Sequence, residues 1–276
     1  MSTVSSLLSP TMISQKDSWT TPYFEFMSDL EDFPIGNAER RAAIYQELMD
    51  NMLLYHEAIK REEQDHIEKG IYFNVFELWN KFTGLGETAH SRLIHFLLQP
   101  NPLHGQKEHY LNELLTMLGI TPISGGAPWT VTAESGRVDV MIRRINPESV
   151  IMLENKSNWA PDQENQLYRY WYQNIHKRPE DCFADYYDGK DYRIVYLAPK
   201  KEKHLSENSL QRPDPSWFPS QEICDSLPQR LPLEPLIWSF DEELALWLQR
   251  CINVTPPGNH ALIEFLRQYK NYCKSL

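Results

Sequence analysis

The amino-acid sequence predicts an α/β protein in which a central β-sheet is flanked by helices. Apolar residues recur every three or four positions in several segments, which is the period of an amphipathic helix. Short runs rich in Val, Ile and aromatic residues lie between those segments and are bounded by turn-forming residues, as strands are. The predicted core elements follow in the order helix, three strands, helix, strand, and a helical extension precedes them.

Residues 1–70 form the predicted extension, an arm followed by one long helix. The arm ends near residue 35 and is rich in Ser, Thr and Pro. From Asn37 to about Lys69 the apolar residues follow a helical period, and Gly70 ends the pattern. Because apolar stripes on helices are usually buried, we expect this amphipathic helix to pack on the core or to pair with a second copy or a partner protein.

The remaining elements are predicted from periodicity and from the turn residues between them. Helices are predicted at residues 87–98, 107–118, about 161–175, 239–250 and 259–273. Strands are predicted at residues 129–133, 137–143, 150–156, 192–197 and 236–238. Ser239 and Glu242 match a capping box at the start of the fourth helix. Residues 200–235 hold many prolines without a clear period and are predicted to be a long ordered loop or insertion.

Composition limits the classes of function. The chain has no unbroken apolar run of roughly 18 to 20 residues and no basic region followed by an apolar run at its start, so we expect a cytoplasmic protein without a membrane span. The 4 cysteines form no Cys-x-x-Cys pair, which argues against a zinc knuckle and a disulfide framework. A net charge of −11 counts against tight non-specific binding to nucleic acid, although an acidic total can hide a local basic groove.

The second predicted strand carries an aspartate on the face opposite its apolar residues. Side chains alternate between the two faces of a strand, which places Val138, Val140 and Ile142 on one face. Asp139 and Met141 then lie on the other face. Asp139 therefore points away from the apolar residues on either side of it.

The third predicted strand ends in a second carboxylate and a lysine. Glu154 and Lys156 are two residues apart and share one face at the end of an apolar run. A hairpin centred on the Asn146–Pro147 bond would set Asp139 directly opposite Glu154. Directly opposed residues have Cβ atoms roughly 4.5 to 5.5 Å apart, which is close enough for both carboxylates to hold one hard cation.

These three side chains can be combined into one chemical site. Adjacent carboxylates repel unless a cation or a proton intervenes, and oxygen ligation with open positions suits Mg²⁺ or Mn²⁺. A neighbouring ammonium can orient a water or stabilise charge on a phosphoryl oxygen. Asp139, Glu154 and Lys156 therefore predict metal-dependent phosphodiester hydrolysis. The alternative is a salt-bridged cluster at the end of a sheet, because a Glu-x-Lys triplet is common by chance.

The element order, with an acidic residue followed one strand later by Glu-x-Lys, resembles the PD-(D/E)xK nuclease superfamily over about residues 74–198. The chain is similar to an uncharacterised bacterial branch with a Glu-x-x-His-Ser helix and a His-Gly segment, here Glu87-Thr-Ala-His90-Ser91 and Pro100-Asn-Pro-Leu-His104-Gly105. The resemblance implies a restriction-endonuclease-like core with a mixed central β-sheet, of order αβββαβ, in a nuclease domain at residues 71–276. Val138 stands where the superfamily name implies a proline.

The resemblance also implies roles for individual residues. Glu87 would be the acidic residue from the first core helix, Asp139 and Glu154 the metal ligands, and Lys156 the catalytic lysine. The backbone carbonyl of Asn155 would be a further ligand to Mg²⁺ or Mn²⁺. Each of the four side chains would therefore serve catalysis or metal binding.

The helix after the triplet contains a second motif. Its Gln166-Leu-Tyr-Arg-Tyr170 segment resembles the Gln-x-x-x-Tyr motif of some superfamily nucleases. Helical spacing places Gln166 and Tyr170 on one face with Gln173, where they could support the site or contact the substrate backbone. Ser91, next to His90, is assigned to substrate binding as well.

Aromatic and basic residues near these motifs allow two interpretations. Trp159, Tyr168 and Trp171 could stack on exposed bases, although core packing is favoured. Basic clusters at residues 137–144 and 176–178 could contact phosphates or form solvated surface.

The function expected from these residues and from the resemblance is a divalent-metal-dependent nuclease with nucleic acid as its partner. DNA rather than RNA, and a place in phage defence or restriction, are implied by the resemblance alone. One alternative is a nucleic-acid-binding or scaffolding protein that kept the fold and lost turnover, against which the complete Asp139, Glu154 and Lys156 set argues. Another is an interaction subunit that recruits its partner through the N-terminal helix.

Overall fold

The computed structural model describes residues 38–100, 103–120, 126–135, 138–145, 148–177 and 192–276. The predicted N-terminal arm and the turn at Asn146–Pro147 lie outside the described residues. The chain divides into two compact units, Met1–Phe73 and Asn74–Leu276. The sequence places this boundary after residue 70, and the assignment of separate domains stays a prediction.

In the first unit, one long helix matches the predicted one. Helix α1 covers Ala38–Glu68. Ion pairs one turn apart, such as Lys69 with Asp65 at 2.6 Å, lie on its surface. Its apolar residues Leu53 and Leu54 are exposed. Pairing of this helix with a partner therefore stays a prediction.

The second unit is built on a five-stranded mixed sheet. Its strands are β1 Thr130–Ser135, β2 Val138–Arg144, β3 Ser149–Asn155, β4 Tyr192–Ala198 and β5 Leu236–Ser239. They lie side by side in chain order. The β1–β2 and β2–β3 pairs are antiparallel, whereas β3–β4 and β4–β5 are parallel. The predicted mixed α/β architecture is therefore confirmed, with β3 at its centre and every residue of β3 buried.

Helices surround this sheet. They are α2 Val75–Thr83, α3 Glu87–Leu98, α4 His109–Met117, α5 Gln166–Trp171, α6 Glu207–Leu210, α7 Gln221–Ser226, α8 Ala245–Val254 and α9 His260–Ser275. Wider π-helical turns at Tyr172–His176 and Phe240–Leu244 continue α5 and precede α8, and a 3-10 turn covers Pro215–Trp217. Within the described ranges, no helix combines the length and the apolar character needed to cross a bilayer.

Two apolar clusters, one on each face of the sheet, give the unit three layers. In the first, Ile151 and Leu153 of β3 pack with residues of α3, α4, α8 and α9. In the second, Met152 and Tyr196 pack with α5 and with the predicted insertion. The predicted alternation holds for Val140, Ile142 and Met141, but Val138, the first residue of β2, packs in the second cluster with Met141.

The helix predicted from residue 161 begins five residues later. Asp162 does not cap it, because its carboxylate accepts hydrogen bonds from the Tyr196 hydroxyl at 2.8 Å and from the Ser206 backbone N–H at 2.7 Å. Asn165, directly before α5, has a φ of 57° in the left-handed region. The segment is therefore held to the loop after β4, and α5 begins at Gln166.

The predicted capping box at Ser239 forms with a different glutamate. Ser239 Oγ accepts from the Glu242 backbone N–H at 3.3 Å, as predicted. The Ser239 backbone N–H, however, donates to Glu243 Oε2 at 2.7 Å. The π-helical turn holds one more residue than an α-helical turn. The side chain that accepts from the Ser239 N–H is therefore that of Glu243, four positions after the cap, and not that of Glu242, three positions after it.

Truncating the central strand should destabilise the second unit far more than truncating its edge. Ile151 of β3 is fully buried, whereas Ile237 of β5 is 39% exposed. We expect Ile151→Ala to lower the free energy of unfolding by about 2–5 kcal/mol because it leaves a cavity. Ile237→Ala, the matched control, should change it by about 0.5 kcal/mol or less. Equal losses in urea unfolding would contradict the assignment of β3 as the core strand.

Candidate active site

The structure brings the predicted catalytic side chains into one cleft. The cleft has a volume of about 590 Å³ and lies where β3 ends. Its walls include Glu87, Asp139, Glu154, Lys156, Gln166 and Tyr170. Glu87 and Glu154, which are 67 positions apart in the chain, thus face the same cleft.

The pairing of β2 with β3 follows the register expected from the sequence. Val140 is paired with Leu153, and the pairing continues in step to Arg144 and Ser149. The next position outward sets Asp139 against Glu154. Asp139 Oδ2 accepts a hydrogen bond from the backbone N–H of Asn155 at 2.7 Å, which fixes its carboxylate at the end of β3.

Glu154 is a buried carboxylate, with a side chain in contact with a cation and an amide. The residue is 3% exposed. Its Oε1 accepts from Lys156 Nζ at 2.9 Å and from Gln166 Nε2 at 2.7 Å. Its Oε2 is buried and has no hydrogen-bond partner among the described residues. Burial, and then the charge of Asp139, raise the pKa of Glu154 to about 7, although Lys156 opposes both.

Lys156 is the buried counter-charge of Glu154. It is 4% exposed, and Nζ also donates to Gln166 Oε1 at 3.2 Å. Burial by itself lowers the pKa of Lys156, but the negative charges of Glu154 and Glu87 outweigh burial and raise it above its usual value. The ammonium therefore stays charged at neutral pH.

Gln166 joins the ion pair to Tyr170. Its Nε2 donates to Glu154 Oε1 and, at 2.8 Å, to the Tyr170 hydroxyl, while its Oε1 accepts from Lys156. Both Gln166 and Tyr170 are buried. Burial, and then the negative charge of Glu154, raise the pKa of Tyr170, so its hydroxyl keeps its proton. The Gln-x-x-x-Tyr spacing thus produces a network that orients Glu154 and Lys156 together.

Glu87 enters the cleft from the first residue of α3. Its Oε1 is buried and has no hydrogen-bond partner in the described part of the chain. Burial chiefly raises the pKa of Glu87, and Asp139 adds to the rise, while Lys156 and Lys203 oppose it. Glu87 is therefore a third carboxylate close enough to interact with both Asp139 and Lys156.

Asn155 connects α3 to the end of β3. Its Nδ2 donates to the Glu87 carbonyl oxygen at 2.8 Å and to Ser91 Oγ at 3.0 Å. Ser91 Oγ in turn donates to the Glu87 carbonyl at 2.9 Å, and Asn155 Oδ1 accepts from the Ser157 backbone N–H. Ser91 is fully buried and does not line the cleft. Ser91 thus contacts Asn155 and the first turn of α3, and its assignment to substrate binding stays a prediction.

The arrangement of fold and motif corresponds to a known family. A family model described as the PD-(D/E)XK nuclease superfamily matches residues 73–271. The chain belongs to the PD-(D/E)XK nuclease superfamily. This confirms the resemblance expected from the sequence, and the mixed sheet is consistent with a restriction-endonuclease-like fold. No curated protein and no solved structure gives a significant match to the chain.

PD-(D/E)XK nucleases typically use divalent metals, and the donor chemistry of this cleft fits one. Among the described residues, no three or more His, Cys, Asp or Glu side chains are already grouped as they would be to hold a metal ion. Glu87, Asp139 and Glu154 nevertheless line one cleft, and two of them carry buried oxygens without hydrogen-bond partners there. Oxygen donors with an excess of negative charge suit Mg²⁺ or Mn²⁺.

Several other residues of this PD-(D/E)XK protein are structural. Tyr168 and Trp171 are fully buried, so core packing is confirmed for both, whereas Trp159 is half exposed. His90 donates to or accepts from the Tyr269 hydroxyl at 2.9 Å, and burial lowers its pKa to about 4. Arg144 lies over the ring of Trp129.

Three residues that line the cleft were not predicted from the sequence: Gln163, Arg169 and Trp217. Arg169 lines it and lies three residues after Gln166 in α5. Helical spacing could have identified Arg169, because positions three apart share a face. Trp217 also lines the cleft, but it comes from the predicted insertion, where no period predicts which side chains turn inward.

The raised pKa of Glu154 should appear in the stability of the metal-free protein. The folded carboxyl titrates at about 7 and the ordinary one at 4.5, so the folded state holds the proton more tightly between these pH values. The free energy of unfolding that this bound proton contributes is therefore lost as the pH rises from 4.5 to about 7. Relative to Glu154→Gln, the wild type should therefore lose on the order of 1 kcal/mol of unfolding free energy per pH unit.

This comparison is made by urea unfolding in EDTA across the same pH range. The difference between the two proteins should become constant above the upper pKa. Glu222→Gln, which changes an exposed glutamate of α7, is the matched control and should follow the wild type. A Glu154→Gln curve parallel to the wild type would show that Glu154 titrates normally.

Proposed function

We propose that this PD-(D/E)XK protein is a divalent-metal-dependent nuclease that hydrolyses phosphodiester bonds of DNA. The observation that carries the proposal is the buried Glu154–Lys156 pair, 2.9 Å apart, in the same cleft as the carboxylates of Asp139 and Glu87. A salt bridge with only a structural role needs one carboxylate to balance the charge of one lysine. Three acids around one lysine leave an excess negative charge that a bound cation would balance.

Asp139 and Glu154 are the proposed ligands of Mg²⁺ or Mn²⁺, with Glu87 and the backbone carbonyl of Asn155 completing the set. Glu87 and Glu154 each bring a buried oxygen that lacks a hydrogen bond among the described residues. A bound divalent cation would supply Lewis-acid stabilisation of the phosphoryl oxygens and a more acidic water. Asn155 holds Asp139 through its N–H and α3 through its side chain, so it fixes the spacing between the ligands.

Lys156 is the proposed catalytic lysine. Its ammonium is charged and is held by Glu154 and Gln166 at the wall of the cleft. A fixed positive charge there can stabilise negative charge that develops on a phosphate oxygen during hydrolysis. Gln166 keeps Glu154 and Lys156 in one geometry, and Tyr170 supports Gln166, so these two residues position the reacting groups.

The finer parts of the proposal rest on the family resemblance. DNA as the substrate, and phage defence or restriction in the cytoplasm as the setting, are proposed from the resemblance to the superfamily alone. The net charge of −11 disfavours tight non-specific binding, so binding of nucleic acid at the cleft should depend strongly on the metal.

Cleavage of supercoiled, linear and single-stranded DNA, and of RNA, tests the proposal. With Mg²⁺ or Mn²⁺ the wild type should cut DNA, and EDTA should abolish cutting. Glu154→Gln, which removes the charge of a proposed metal ligand, and Lys156→Met, which removes the cation at the reacting phosphate, should each lower the rate about 10²- to 10³-fold. The rate is measured on each substrate under single-turnover conditions.

Matched controls separate these effects from general charge loss. Glu222→Gln on α7 and Lys274→Met on α9 change exposed residues outside the cleft and should cut like the wild type. Cutting that persists in EDTA, or at full rate in Glu154→Gln, would contradict the proposal. A folded wild type that binds Mn²⁺ and DNA but cuts neither strand would favour the catalytically silent binding protein.

A further inference from the structure

The cleft continues into a second cavity away from the carboxylates. The catalytic cleft is also lined by Arg169, Gln173 and Trp217. A neighbouring cavity of about 350 Å³ is lined by Tyr172, Gln173, Lys177, Trp217, Phe218 and Pro219. Gln173 and Trp217 belong to both walls, so the two spaces adjoin. We call the second cavity the Trp217 pocket.

The indole of Trp217 is fixed in place at the boundary between the two spaces. Trp217 ends the 3-10 turn, which begins with the Asp214 side chain accepting from the Ser216 N–H at 2.9 Å. Its ring contacts Tyr172 at 5.3 Å and Phe218 at 5.0 Å between centroids, both edge-to-face. Neither of these rings stacks parallel on the indole, so neither takes the place that a planar ligand would occupy.

The π-helical turn brings three residues of the same segment to this pocket. The Lys177 backbone N–H donates to the Tyr172 carbonyl oxygen, five residues earlier. Tyr172 is buried against Trp217, whereas Gln173 and Lys177 are exposed. Such wide turns are frequent at functional sites because they alter which side chains share a face.

One further cation lines the catalytic cleft, and another lines the Trp217 pocket. Arg169 lines the cleft, and its Nε is buried without a hydrogen-bond partner among the described residues. Lys177 lines the Trp217 pocket. A polyanion crossing the cleft would therefore meet positive charge beyond the carboxylates, next to a fixed aromatic ring.

We propose that the Trp217 pocket binds one unpaired nucleobase beside the scissile phosphate, stacked on the Trp217 indole, with Arg169 and Lys177 contacting the flanking phosphates. The proposal rests on the proposed nuclease function and names its substrate class. A base can stack on the indole only when it has left its own duplex, so the preferred substrate is single-stranded or locally unpaired nucleic acid. Stacking tolerates any base, because every base has a π-face.

Binding of labelled oligonucleotides tests this pocket independently of cleavage. Fluorescence anisotropy is measured in EDTA on the full-length wild-type protein, so that no strand is cut, using a single strand, its duplex, and single strands with one abasic position each. Adding Trp217→Ala should weaken single-strand binding about tenfold and leave duplex binding unchanged, while Trp217→Phe should restore most of the loss. Phe82→Ala, which removes an exposed aromatic ring of α2, is the matched control and should have no effect.

The abasic series separates stacking from a structural role of Trp217. One abasic position should weaken binding about tenfold when Trp217 is present and cause no further loss in Trp217→Ala. Arg169→Gln should weaken single strand and duplex alike and reduce the salt dependence, unlike the control Arg267→Gln on α9. An equal abasic effect with and without Trp217, or duplex bound as tightly as single strand, would overturn the proposal.

The two proposals fail in different ways. Suppose that the wild type cuts nucleic acid with metal, but that an abasic position weakens binding equally with and without Trp217. This result would overturn the proposed base-binding pocket and leave the proposed nuclease function intact. If the abasic effect depends on Trp217 but the protein never cuts, the base-binding pocket is supported and the nuclease function is overturned. Absence of all nucleic-acid binding by the folded protein would overturn both.

Discussion

The buried ion pair of Glu154 and Lys156 is the constraint on which the site depends. Both side chains lie almost fully out of solvent at the end of the central strand. Removing either partner would leave an uncompensated charge in the protein interior, which is strongly destabilising. Gln166 satisfies both groups at once, and Tyr170 satisfies Gln166. The sheet therefore delivers two charged groups to the cleft in one fixed arrangement, with two further carboxylates facing them.

The scaffold around this pair explains how distant parts of the chain meet there. Asn155 bonds Asp139 of β2 through its backbone and the first turn of α3 through its side chain. The aromatic stack around His90 packs α3 on α9. The acidic part of the cleft is thus built from the sheet and α3, and Gln166 and Tyr170 of α5 support its ion pair. Arg169, also on α5, and Trp217 of the insertion line the same cleft.

Local periodicity made much of the core predictable, and distant contacts account for what was missed. The register that opposes Asp139 and Glu154 follows from a symmetrical hairpin and a strand period of two, and helix α3 follows from its apolar period. The late start of α5 could not be predicted, because Asp162 is held by residues more than thirty positions away. Trp217 was missed for the same reason: the insertion has no period, and only tertiary contacts direct its indole to the cleft.

Diffraction from crystals of the full chain soaked in Mn²⁺ tests the central claim most directly. The anomalous signal reports the position of the metal without relying on turnover. We expect one or more peaks in the cleft in contact with the carboxylates of Asp139 and Glu154, lost in Glu154→Gln and retained in Glu222→Gln. A cleft without a peak at a Mn²⁺ concentration that supports cleavage, with Glu154 still bound only to Lys156 and Gln166, would contradict it.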